Sequence, residues 1–211
     1  MIDAEESWLQ DPIDLVADLM MKKYNQSNFI VFNTIQLYRK DRLSFMKKCI
    51  NQAIDASYKP AFKLVRGAYM EKERKRALEL DYPSPIQETK DATDKDYNEA
   101  IDYCFSLDNE ISIVIASHNE LSTRLAALRS TQNQDKGKDV HFSQLYGMSD
   151  NLTFNLSANG YHVSKYLPFG PVEEVIPYLM RRAQENSSVS GQTTRELYLI
   201  KKEISRRKNR F

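Results

Sequence analysis

Short apolar runs bounded by turn residues recur along the chain, from Asn28 to Asn33, Ala61 to Arg66, Ile111 to Ala116, Val140 to Gln144 and His162 to Leu167. Each is followed by an amphipathic stretch long enough for a helix, and strand alternating with helix five times over predicts a parallel sheet or barrel. Met1 to Ala4 reads as the stub of one more strand. Its helix starts near Asp11-Pro12, with Ile13, Val16, Ala17, Met20 and Met21 at helical spacing. That makes six β/α units. A helix is expected from Lys95 to Leu107, preceded by a long polar connection, Asp81 to Asp94, whose ordering would depend on ligand.

The last unit is the most informative. After the strand at His162 to Leu167 the chain breaks at Pro168-Phe169-Gly170-Pro171, then places Val172, Val175, Ile176, Leu179, Met180 and Ala183 on one helical stripe. At about 100° per residue, Tyr178, Arg181, Arg182 and Glu185 share the neighbouring sector. Paired guanidiniums suit a bidentate grip on a carboxylate or phosphate, although Arg-Arg on a helix is also what a solvated face looks like. Pro177 removes one backbone donor, so a late helix start or a kink is expected there.

Composition narrows the classes. A chain of 211 residues with 41% hydrophobic residues can fill one domain. A net charge of +1 gives no case for nucleic acid. The basic end, Lys201 to Arg210, reads as a solvated terminus, with an anionic membrane surface as the lesser alternative. Cys49 and Cys104 show no metal or redox spacing and are expected as free thiols in a reducing compartment. His118, His141 and His162 lie on separate strands without a convergent ligand pattern, so no metal site is expected. No segment is long and apolar enough to cross a bilayer, and the acidic start is not a signal peptide, which points to a soluble or peripheral chain.

In parallel β/α folds the reactive groups gather at the carboxyl ends of the strands. The first end offers Asp3, Glu5 and Glu6, where an acidic helix start is an equally good reading. The second offers the amides of Asn33 and Gln36. The third is KLVRGAY, in which alternation sets Lys63 opposite in direction to Leu64 and Arg66 and makes it an inward cation. Such a lysine can stabilise an anion or serve as a Schiff-base nucleophile. The fourth is Ser117-His118-Asn119 at a strand-to-helix junction, and the fifth is Leu145-Tyr146-Gly147.

The run KYLPFGPVEEVIPYLMRRAQENSSV closely resembles the last strand and helix of the flavin-dependent proline dehydrogenases, and DAEE, FNTIQ, KLVRGAY, ASHN and FSQLYGM resemble that family's motifs in order. Ile35 stands where the family usually has Tyr. The resemblance implies an α/β fold of the (β/α)8 barrel type, here incomplete, covering about strands three to eight. Residues 1–211 are then one catalytic domain truncated at its N-terminus.

The resemblance also implies residue roles. Asp3, Tyr69, Leu145, Tyr166 and Tyr178 would line the substrate pocket, and Arg181 with Arg182 would hold the substrate carboxylate. Lys63 would stand beside the flavin ring. Asn33, Lys63, Arg66, His118, Asn119, Glu185, Ser187 and Ser188 would bind FAD, with Asn33 favoured over Gln36 for a ring contact and Arg66 for the phosphates. The implied reaction is oxidation of L-proline to Δ1-pyrroline-5-carboxylate with electrons passed to a membrane quinone. The location would be cytoplasmic, peripheral on the inner membrane in a bacterium, or mitochondrial in a eukaryote. The alternatives are an aldolase using Lys63 as a Schiff base, and an inactive remnant lacking the family's lysine on its second strand.

Overall fold

In the computed structural model the described residues are 1–108, 110–132, 138–173, 175–180 and 192–208. The elements run α1 (Ser7–Tyr24), β1 (Asn33–Gln36), α2 (Arg42–Asp55), β2 (Ala61–Val65), α3 (Met70–Glu79), α4 (Lys90–Ser106), β3 (Ile111–Ala116), α5 (Glu120–Gln132), β4 (Lys138–Leu145), α6 (Asp150–Ala158), β5 (His162–Tyr166) and α7 (Gln192–Lys208). Residues 172–173 and 175–180 are helical as well. All strand pairs are parallel and lie in sequence order, β1-β2-β3-β4-β5. This is the parallel β/α progression of a barrel wall. Ile2 bridges Asn33 in parallel, so the N-terminal stub adds to the free edge of β1.

Alternation divides the sheet into two faces. Ile35, Phe62, Leu64, Ile113, Ile115 and Phe142 point to the helices and form one core with Met46, Ile50, Tyr97, Ile101 and Cys104. Each such side chain contributes about 1.5–3 kcal/mol on full burial. The other face carries Thr34, Lys63, Val114, His141 and His162 in one hydrogen-bonded register. Ile35 is fully buried in the helix-side core, so a phenol at that position would have to fit there rather than at the strand ends.

Three expectations change, each for a local reason. The first strand lies at Asn33–Gln36 rather than Asn28 to Asn33, because buried Asn25 takes the backbone of the earlier segment. Its Nδ2 donates to Val31 O (2.8 Å) and Lys59 O (3.0 Å), and its Oδ1 accepts from Ile30 N (3.0 Å) and Val31 N (2.8 Å). The fourth helix starts at Lys90 rather than Lys95, since Thr89 Oγ1 caps it by accepting from Ala92 N at 3.1 Å. The connection before it is pinned by Lys40 N to Pro85 O (2.9 Å) and Gln87 N to Tyr38 O (2.7 Å), so its path is set by protein contacts.

The first helix departs furthest from expectation. It begins at Ser7, and Gln10, Asp14, Ala17 and Met21 face inward, while Val16 and Met20 of the predicted apolar stripe lie outward. Near the chain's end, residues 172–173 are already helical, so the helix starts before Pro177 rather than after it.

Candidate functional site

The carboxyl end of β2 is the hinge of the site. Gly67 has φ +136°, and a Cβ there would meet the Tyr38 ring at 2.4 Å. Glycine is therefore required for the chain to turn under Tyr38. The turn sends Lys63 and Arg66 in different directions. Lys63, on the inner face, forms an ion pair with Asp3, its side chain 17% exposed.

The Asp3 to Ser7 segment lies across the strand ends as a strap. Thr34 Oγ1 donates to Ile2 O (2.7 Å), Gln36 Nε2 to Glu5 O (2.7 Å) and Tyr69 Oη to Glu5 Oε2 (2.7 Å). Glu6 pairs with Lys72, and Ser7 donates from N and Oγ to the Glu73 carboxylate at 2.5 and 2.7 Å. Trp8 lies beneath the Arg76 guanidinium, 4.4 Å from its ring centre. The strap thus brings Asp3, Lys63, Tyr69 and Gln36 together.

Arg66 turns towards the start of α5. Nε donates to Asp94 Oδ1 (2.6 Å), one Nη to Ser117 Oγ (2.7 Å) and the other to Ser122 Oγ (2.9 Å), and the guanidinium stacks on Tyr97 at 4.3 Å. These bonds use three of its five N–H groups. Burial pushes the Asp94 carboxyl up, but hydrogen bonds from Lys90 and Arg66 outweigh it and hold the group below the usual carboxylate range. Burial raises the Tyr97 phenol strongly, which keeps it a neutral donor to Leu64 O at 3.1 Å.

At the same junction Asn119 is the N-cap of α5, its Oδ1 accepting from Ser122 N at 3.1 Å. His118 Nδ1 lies 2.9 Å from Ser149 Oγ, and its Nε2 accepts from Leu145 N at 3.5 Å, which puts the proton on Nδ1. The junction therefore joins a helix N-terminus and a guanidinium, a donor set suited to phosphate, with the His118 imidazole beside them. Further round, Leu145 and Tyr166 are register partners on β4 and β5. The Tyr166 ring stands 5.9 Å from that of Tyr178, so these two aromatics share one wall.

One expected contact is corrected. Asn33 points to the helix side, where its Nδ2 donates to Asp14 Oδ1 at 2.9 Å. Asp14 also accepts from Gln10 (2.8 Å) and Arg42 (2.6 Å), so Asn33 belongs to a buried polar network under α1 and α2. Strand alternation puts Gln36 on the opposite side, at the strand end. Arg181, Arg182, Glu185, Ser187 and Ser188 lie outside the described residues.

Sequence reasoning missed Asp94, Ser117 and Ser122 as partners of Arg66, and Glu5 as the partner of Tyr69. Only the placement of Ser117 two residues before the α5 cap hinted at the first group. Among the described residues no three His, Cys, Asp or Glu side chains group as metal ligands, and no helix is long and apolar enough to cross a membrane.

Comparison with known proteins gives one consistent result. The family model described as proline dehydrogenase matches residues 1–195. The chain is 40% identical over 219 residues to proline dehydrogenase 1, mitochondrial, of Drosophila melanogaster, covering 98% of this chain and 32% of that one. It is 39% identical over 213 residues to hydroxyproline dehydrogenase of Xenopus laevis, covering 98% of this chain and 46% of that one. The chain spans less than half the length of these relatives. Among solved structures, proline utilization A from Bdellovibrio bacteriovorus, inactivated by N-propargylglycine, superposes with a TM-score of 0.81 at 24% identity. That match covers 89% of this chain and 20% of that one, and it supports the α/β fold.

Proposed function

Because the chain belongs to the proline dehydrogenase family, we propose that its strand ends bind FAD and L-proline and serve the oxidation of proline to Δ1-pyrroline-5-carboxylate. The observation that carries this reading is the convergence of Lys63, Asp3, Tyr69 and Gln36 at one end of the sheet, beside the Arg66 and α5 junction. A cofactor with a pyrophosphate and an electron-poor ring needs cationic donors in those two places.

The donor set fits that group. Arg66 keeps two N–H groups beyond its protein contacts, next to the amides of the α5 N-terminus, for the phosphates. Lys63, fixed by Asp3, supplies a positive charge where negative charge would build on the reduced ring. Gln36 replaces Asn33 as the amide that reaches the ring. His118, Glu185, Ser187 and Ser188 complete the contacts on the ribityl and adenosine side. Asn119 acts as the cap that holds the α5 amides in place. When bound, FAD supplies a two-electron acceptor.

Substrate selection falls to the remaining residues. We assign Leu145, Tyr166 and Tyr178 to the wall around the five-membered ring, with Tyr69 and Asp3 at its rim, because Leu145 and Tyr166 are register partners and the Tyr166 and Tyr178 rings are neighbours. Arg181 and Arg182 hold the carboxylate. Oxidation removes a hydride from C5 and a proton from nitrogen, so proline must react as the neutral secondary amine, and a fixed carboxylate sets which carbon faces the acceptor. The electrons pass to a membrane quinone through a peripheral contact with the mitochondrial or bacterial inner membrane.

The test is Arg181→Ala and Arg182→Ala, read as KM where the chain turns over and as Kd for proline otherwise. Each should weaken proline at least about tenfold while FAD stays bound. Unchanged proline affinity in both variants overturns the assignment. Running L-proline and hydroxyproline side by side decides which ring the site accepts.

A further inference from the structure

The strap that carries Asp3 to Lys63 is held on both sides. Upstream it hangs from β1, where Ile2 N donates to Phe32 O (2.8 Å) and Thr34 Oγ1 donates to Ile2 O (2.7 Å). Downstream it runs into α1, and α3 takes hold of it there. Lys72, Glu73 and Arg76 of α3 reach Glu6, Ser7 and Trp8 in turn.

These three grips are unequal. The Lys72 side chain is 61% exposed, and a long side chain in solvent yields easily. Glu73 is 0% exposed and takes Ser7 N on one carboxylate oxygen at 2.5 Å and Ser7 Oγ on the other at 2.7 Å. A buried carboxylate bonded through both oxygens to one residue fixes that residue in place and in orientation. Ser7 is also the first residue of α1, whose N-cap, Glu6, makes no side-chain cap bond. Glu73 supplies from α3 the acceptor that a helix start needs. Its own backbone is set by Glu73 N donating to Tyr69 O at 2.9 Å, just beyond the turn at Gly67.

The ion pair at the strand ends cannot hold the strap by itself. The Asp3 side chain is 59% exposed, and a pair with one partner in solvent contributes too little to fix a backbone segment. We propose that Glu73 is a positioning residue: by tying Ser7 to α3, which follows β2 through the turn at Gly67, it sets Asp3 against Lys63. The inference rests on the reading of Asp3 and Lys63 as part of the proline site, so its first test needs no cofactor.

Ser7→Pro removes both donors at once. Proline suits the first position of a helix, and Glu6 before it already has φ −63° and ψ 153°, the extended conformation proline requires of its neighbour. Glu73→Leu removes both acceptors with little change of volume and serves if Ser7→Pro does not fold. Glu73→Gln still offers Ser7 N an acceptor and gives Ser7 Oγ a donor.

In the full chain without FAD, a water-soluble carbodiimide joins Asp3 to Lys63 only where carboxylate and amine touch, and peptide mass spectrometry reads the yield. Lys47 and Glu99, paired at 2.8 Å between α2 and α4, give the internal reference. Trp8, the one tryptophan of the chain, reports release of the strap through its fluorescence. Ser7→Pro and Glu73→Leu should each lower the Asp3–Lys63 yield at least about threefold against the reference, open Trp8 to acrylamide and keep the circular dichroism. Glu73→Gln should match the parent.

A parental Asp3–Lys63 yield with Trp8 released overturns the inference. So does an equal loss at the reference pair, or a loss in Glu73→Gln as large as in Ser7→Pro. In FAD-loaded protein the variants should keep the same order in the rate at which proline bleaches the flavin, and bleaching in Ser7→Pro as fast as in the parent overturns the inference too. If the crosslinking order holds and proline bleaches not even the parent, the positioning stands and the proposed reaction fails.

Discussion

Lys63 on β2 and Asp3 in the N-terminal strap form an ion pair across sixty residues of sequence. The pair places an ammonium beside a carboxylate at the strand ends.

Lys63→Met should therefore leave FAD bound through Arg66 and the α5 junction, but lower the reduction potential of the bound flavin by tens of millivolts. Lys63→Arg should restore most of it. Potentiometric titration of the two variants checks this, and a potential unmoved in K63M places the ammonium away from the ring.

Gln36→Ala and Asn33→Ala separate the two amides. The Gln36 substitution should weaken FAD binding measured by fluorescence quenching. The Asn33 substitution should leave FAD affinity unchanged and cost about 1–3 kcal/mol in urea unfolding, because it strips a donor from buried Asp14.

Gly67→Ala should be among the most damaging small changes in the chain. The added Cβ meets the Tyr38 ring at 2.4 Å, at a φ of +136° that other residues rarely adopt. A loss of about 2 kcal/mol or more is expected, together with loss of FAD binding, since the same turn aims Arg66. Thermal unfolding and cofactor titration of one sample read both effects.

Acid should weaken the Arg66 junction through Asp94. The folded-state value of this carboxyl lies below its ordinary one, so its stabilising contribution is complete above the unfolded value of about 3.9. It is lost as pH falls through the folded value. Urea midpoints taken from about pH 6 down to about pH 3 should fall less steeply for Asp94→Asn than for the parent chain.

Much of this architecture was legible from periodicity. The strand at Ile111–Ala116 falls where its apolar run predicts, and the runs after Ala61 and His162 each end one residue early. What periodicity missed depended on single polar side chains acting at a distance. Asn25 removes residues 30 and 31 from strand pairing through its own amide, and Thr89 starts a helix five residues before the apolar pattern does.

The site shows the same division. Motif order brings Lys63, Arg66 and His118 to strand ends, but it cannot tell Asn33 from Gln36. That choice turns on which residue faces α1, and α1 itself buries its polar side. The buried polar side of α1 was unreadable because its partners, Asn33 and Arg42, come from other elements.

The most direct measurement is the visible spectrum of the FAD-loaded protein under anaerobic conditions as L-proline is added. The account predicts that the oxidised flavin bands bleach with saturable dependence on proline and that Lys63→Met slows the bleaching. A spectrum unchanged by proline in a preparation that holds stoichiometric FAD would contradict it.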